Sequence, residues 1–217
     1  MSLITSNEIL LRVNTLLNDT SFTRWPKEEL LDYLNDSQRA IVIRRPDAFT
    51  VDVDDFACVA GTKQTLPSDA LRLIDIPHNT VGRAIKGPFN KAVLDDNYPT
   101  WYSGNAATEA ELFIYDERNP KIFRLYPGVA ANTEINVVYS KAPPAITMAE
   151  NNANQVISLD DIYMNAMIEW IMYRCYMKDA EYAANPNKSN MHQSAFKTQL
   201  GEKVQADSAM ASEKIEE

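Results

Sequence analysis

Apolar residues recur at three- and four-residue spacing near both ends of the chain and alternate with polar ones in its middle. In TSNEILLRVNTLLND, Ile9, Leu10, Val13, Leu16 and Leu17 form one stripe, which predicts an amphipathic helix. Thr5 or Ser6 can cap it, and Glu8 suits the positive end of its dipole. DTSFT breaks the pattern, and a second helix opens at Trp25-Pro26, where the missing proline N–H does no harm. Leu30, Leu31, Leu34, Ile41 and Val42 give that helix a buried face. Pro46 disfavours helical geometry at Arg45 and ends it. Residues 1–47 therefore read as an αα-hairpin.

From about 48 to 145 the period changes to two. Phe49, Val51 and Val53 alternate with Thr50, Asp52 and Asp54, the pattern of a half-buried strand. AGTKQTLP reads as a turn and a short strand ended by Pro67, and LRLIDIPHNTVGRAIKG as two strands around His78-Asn79. AELFIYDERNPKIFRLYPG is a hairpin, because Asp, Asn and Pro in DERNP supply turn geometry. EINVVYSKAP adds a strand, so a small antiparallel sheet or sandwich is expected.

The period of a helix returns after about residue 146. Ser158 or Asp160 caps DIYMNAMIEWIMYRCYMKDAEYA, whose apolar residues surround most of the helix and predict deep burial. NPN at 185–187 is read as a break, followed by a helix with Met191, Ala195, Leu200 and Val204 on one side. Residues 205–217 carry few large apolar side chains and are expected to be an extended tail that orders only on a neighbour. The fold class expected is α+β: a helical bundle of N- and C-terminal helices (1–47 and 146–204) with an antiparallel β domain inserted between them.

Composition removes several function classes. The 45% apolar and 24% charged residues are those of a globular protein, and six glycines leave little room for phosphate-binding glycine loops. A formal charge of −9 opposes general affinity for nucleic acid. Residues 1–46 carry six basic and six acidic groups, so the whole surplus lies after Pro46. Cys58 and Cys175 sit in apolar stretches without metal-ligand spacing and read as buried thiols of a reducing compartment. The N-terminus lacks the basic start of a signal peptide, and the most apolar window is too short and too charged to span a membrane.

Candidate chemistry is sparse. His78 falls in a turn and His192 on a polar helix face, and both read as exposed and idle. DVDD at 52–55 lacks the glycine and distal glutamate of a calcium loop, while Asp95-Asp96 and Asp160-Asp161 read as turn and cap residues. Arg44-Arg45 is explained by the dipole at a helix C-terminus, and the aromatics of NYPTWYSG by a core or interface. No catalytic, cofactor-binding or metal residue is assigned.

One ordered series is informative: Trp25, Leu30, Tyr33 to Asp36, Gln38-Arg39 and Arg45 to Ala48; then Gly61-Thr62, Gln64, Leu66-Pro67, Leu94-Asp95, Pro99 and Trp101; then Asp116, Pro120, Phe123, Leu125 to Pro127, and Arg174 to Ala183. Over about residues 25 to 200 it resembles the head-to-tail adaptor (connector) proteins of short-tailed phages. The resemblance implies a structural virion protein of the neck, assembled in the host cytoplasm as a dodecameric ring between the portal protein and a downstream nozzle or tube, with tail-fibre proteins nearby. Genome DNA would pass through without specific binding, and no membrane would be involved. The C-terminal segment would grip the portal, which makes Val204, Met210 and Ile215 the expected contacts. Trp25, Asn35, Arg39, Arg45 and Pro46 would form a rigid joint: Asn35 bonded to the loop that follows its helix, Arg39 paired with a carboxylate across the hairpin, and Pro46 setting the exit from helix to sheet. The competing readings are another tail-tube or nozzle component, a carboxylate-dependent cell-wall hydrolase and a nucleic-acid binder.

Overall fold

In the computed structural model the residues described are 3–103, 106–178 and 185–213, with 202–213 as backbone only. The chain divides into two compact units: a helical one, Met1–Ala48 with Pro143–Glu217, and a β-rich one, Phe49–Ala142. With helices at both termini and antiparallel strands between them, the fold is α+β.

The helical unit begins with α1, Ser6–Leu16. Thr5 is its cap, not Ser6: the Thr5 hydroxyl accepts from the Glu8 N–H at 3.2 Å while the Glu8 carboxylate accepts from the Thr5 N–H at 2.9 Å. Ser6 instead faces inward and donates its hydroxyl to Asn151 at 2.8 Å. Helix α2 spans Lys27–Arg44, so Pro26 stands at the cap position just before the first helical residue. Of the stripe expected on α1, Ile9, Leu10 and Val13 are buried while Leu16, at the helix end, is 59% exposed; on α2 Leu30, Leu31, Leu34, Ile41 and Val42 are all buried.

After the β unit the chain returns through α4, Met148–Asn152, whose capping box of Thr147 and Glu150 repeats the device that starts α1. Asp160 caps a 3₁₀ turn that leads into α5, Met164–Lys178. Burial of α5 is as deep as its pattern predicts; only Asn165, Met177 and Lys178 of its fifteen residues are exposed. Helix α6 runs Asn185–Glu213 and corrects two expectations. NPN opens this helix instead of breaking the chain, because Pro186 lies in the first turn where no N–H is needed. Residues 205–213 are helical, not extended, in keeping with the helix propensity of their Ala, Gln, Met and Glu residues. The buried side of α6 is centred on Phe196 and Leu200, whereas Met191 is 70% exposed.

In the β unit all strand pairs are antiparallel. Strands β1 (Thr50–Ala57), β6 (Glu134–Lys141) and β3 (Ala70–Asp75) form one sheet in that order, with β6 central. The second sheet has the order β2 (Gly61–Thr65), β5 (Ile122–Val129) and β4 (Leu112–Tyr115). One apolar cluster, including Leu66, Leu73, Phe113, Phe123, Leu125, Ile135, Val137 and Tyr139, draws on strands of both sheets. The DERNP hairpin is β4–β5, as expected. Around His78-Asn79, isolated bridges (His78 to Ala84, Asn79 to Ile135, Lys86 to Leu112) form where a second strand was expected. The Asn79 amide takes over the pairing there: it donates to the carbonyls of Arg83 and Ala110 and accepts from the Ala110 N–H. Helix α3, Lys91–Asn97, has too short an apolar pattern to stand out in the sequence. It carries Leu94, which packs with Trp101 and Ile114 as a second small core.

Asn35 makes two buried side-chain bonds to a residue 111 positions away within the helical unit. From α2 it donates to the Ile146 carbonyl at 3.0 Å and accepts from the Ile146 N–H at 2.8 Å. Asn35→Ala leaves both groups of Ile146 buried and unpaired, and urea unfolding should show a loss of about 2–4 kcal/mol. A loss below about 0.5 kcal/mol, the size of an ordinary surface substitution, would show that the amide is dispensable.

Candidate assembly surfaces

Four of the five joint residues lie on α2 or at its end, and Trp25 precedes its start. Trp25 is 4% exposed, and the loop before it is fixed by Asp19, whose carboxylate accepts from the N–H groups of Thr23, Arg24 and Trp25 at 2.9–3.0 Å. The Lys178 ammonium stands 5.6 Å from the centre of the Trp25 ring and also bonds both Glu29 oxygens at 2.7 Å, so α5 reaches the start of α2 by charge and by ring face. Asn35 binds Ile146, not the loop after its own helix, so that expectation is corrected. A second correction concerns Arg39. Its carboxylate partner is Asp36, three residues back on the same helix at 3.8 Å and half exposed, which contributes little.

Arg45 is buried, and its guanidinium holds Asp47 by two parallel bonds of 3.0 and 2.7 Å. This fork clamps the turn Pro46–Ala48, which ends at the boundary with the β unit. Arg44 bonds the Ala40 carbonyl and lies over the Phe196 and Trp170 rings, 5.2 and 6.0 Å from their centres. Its charge is thus committed to packing α2 against later helices. Of the expected portal contacts, Val204 and Met210 lie in the backbone-only stretch of α6, and Ile215 lies outside the described residues.

The chemical candidates resolve into structural roles. His192 is not idle: its ring Nδ1 donates to the Glu169 carboxylate at 2.7 Å and the ring stacks on Tyr176. His78 bonds the Asn79 carbonyl oxygen at 2.9 Å. Asp52 and Asp54 point outward from β1, and the Asn136 amide nitrogen donates to both at 2.6 and 2.5 Å. Asp95 accepts from the Trp101 indole N–H at 2.8 Å, which buries Trp101 as core and leaves Tyr102 stacked against it at 4.0 Å. Cys58 and Cys175 are buried and neither forms a disulfide, and burial pushes the Cys58 thiol pKa up to about 12. Among the described residues no group of three or more His, Cys, Asp or Glu is placed to hold a metal, and no helix is long and apolar enough to cross a membrane.

One feature is invisible in the linear chain. Lys63, Lys91, Tyr102, Ile114, Asp116, Asn119, Ile122 and Arg124 line a cleft of about 260 Å³ on the β unit. Alternation alone turns Lys63 outward beside buried Gln64, and Arg124 outward between buried Phe123 and Leu125. Only the strand register, which sets Lys63 opposite Arg124, brings them together.

Within the described residues the sites are therefore ones of packing, capping and surface charge, as in a structural protein built from a helical unit and an inserted β unit. The profile of the SU10 adaptor protein family matches residues 4–215, nearly the whole chain and both units. The chain belongs to that family, which bears out its resemblance to phage head-to-tail adaptors. No curated protein matches it. Membership makes it a structural adaptor and a virion component, and implies contact with portal and tail proteins.

The bonds around Asp19 give a pH-dependent test of the joint. Hydrogen bonding from the Trp25 N–H first, then from Thr23 and Arg24, holds the Asp19 carboxyl below the ordinary aspartate value, outweighing desolvation. A depressed folded value stabilises the loop above the unfolded value and stops doing so as pH falls through the folded one. The Trp25 indole resonance should hold its native position at neutral pH and move only below the usual aspartate range. Asp19→Ala should show the acid position already at neutral pH; an unmoved resonance in that variant would contradict the assignment.

Proposed function

We propose that the chain is one subunit of a dodecameric head-to-tail ring between the portal and the next tail component, a nozzle or tube, and that the ring forms part of the DNA ejection conduit. The observation that carries this reading is the family match across residues 4–215, which takes in both units together with α6. Helix α6 supports it further. Leu200 is buried, and beyond it the backbone of α6 runs on to Glu213 through a sequence with few large apolar residues, as suits a segment that packs on a neighbour. The −9 charge suits a passage that DNA must not bind. In this reading Val204, Met210 and Ile215 contact the portal, and Trp25, Asn35, Arg39, Arg45 and Pro46 stiffen α2 and its two ends within the subunit.

Native mass spectrometry of the chain, alone and mixed with its portal, tests the proposal. A closed high-order ring, or a defined adaptor–portal complex, is expected. Met210→Asp with Ile215→Asp should weaken portal loading by at least about tenfold, since two apolar contacts are replaced by charge, while the melting temperature of the free chain stays put. A chain that ignores the portal would reject the reading in favour of another tail-tube or nozzle part.

A further inference from the structure

The cationic cleft on the β unit is an unsolved electrostatic problem within the chain. Arg124 on β5 and Lys63 on β2 are direct cross-strand partners, an arrangement of like charges that destabilises a sheet. Neither has an ion-pair partner among the described residues. Lys91 brings a third cation, partly answered by Asp95 at 2.5 Å. Tyr102 forms the wall between them, with Arg124 5.0 Å and Lys91 5.5 Å from its ring centre. The one carboxylate on the rim, Asp116, is already engaged by both arms of Arg118 at 3.0 Å. Ile114 and Ile122 add apolar lining and Asn119 an amide. The cleft is shaped for a carboxylate-bearing segment with an alkyl or peptide stem.

The same chain carries the complement. On β1, an edge strand, Asp52 and Asp54 project on one side and are held together by the Asn136 amide, with exposed Asp55 beside them. Among the described residues none of the three has a cation partner. Resting on the ring reading above, we propose that the Lys63–Lys91–Arg124 cleft of one subunit receives the Asp52–Asp54 edge of a second copy. Two different, mutually complementary patches on one chain make a head-to-tail contact, which closes into rings and not into two-fold dimers. DNA phosphate is the weaker candidate, because a duplex needs an extended basic stripe and this cleft has three cations in a chain of charge −9.

Two variants isolate the contact from any prior assembly. D52S/D54S removes the edge charges and leaves the cleft unfilled; K63Q/R124Q removes the cleft charges and leaves the edge. Each alone should fail to self-associate. Mixed at high concentration they should form a one-to-one pair, with the Lys63, Tyr102 and Arg124 resonances of the first variant shifting as the second is added. Replacing the second partner's carboxylates by the shape-preserving D52N/D54N should weaken the pair at least about tenfold, as removing close charge pairs does at interfaces. Variants that stay apart, a D52N/D54N partner that binds equally well, or a short DNA duplex that moves the same resonances more strongly would each overturn the proposal. Portal loading plays no part in this mixture, so its failure leaves the adaptor reading to its own test.

Discussion

Two hydrogen bonds between the Asn35 side chain and the backbone of Ile146 join parts of the chain that the whole β unit separates. A helical unit assembled from the two ends of a chain must recover the entropy of bringing them together before its apolar faces stabilise anything. The Asn35 amide does this with the geometry of a strand pair, offering one donor and one acceptor to a single residue. Other joins follow the same line: the Ser6 hydroxyl on Asn151, the Ser6 N–H on the Gln155 carbonyl, and the Ile157 N–H on the Ile4 carbonyl. Each ties α1 or α2 to the returning chain by backbone or buried polar groups, and the apolar stripes of α1, α2 and α5 then pack around them.

Much of this could be read from residue order. Helices α1, α2 and α5 were legible because their stripes are long, and the β4–β5 hairpin because DERNP carries its own turn chemistry. What escaped depends on distant partners. Asn35 looked like a helix residue in need of a nearby loop, yet its partner is 111 positions away. Arg39 looked like a cross-hairpin ion, yet the nearest carboxylate is on its own helix. NPN looked like a breaker because proline stops helices from within; as the first turn of α6 it starts one. The Lys63–Arg124 pairing depends on strand register, which alternation does not set across more than fifty intervening residues.

Several charged and titratable side chains serve geometry here. Asp19 organises the entry to α2, Arg45 clamps the turn at its exit, Asp95 anchors a buried tryptophan, and His192 bridges α5 and α6. A family of virion adaptors needs this kind of chain, with its charged groups fixed in packing and its surfaces left for other proteins of the particle. The net negative charge and the cationic cleft are compatible because the cleft's charge is local and answers acidic edges of like chains.

Hydrogen exchange at the Ile146 amide tests most directly whether the Asn35 bonds hold the discontinuous helical unit together. If they do, this N–H, although it lies outside any helix or strand, exchanges as slowly as the core amides of α2 and α5, through global unfolding alone. Exchange orders of magnitude faster than those amides would mean that the returning segment opens by itself and that the two ends are held by apolar packing without it.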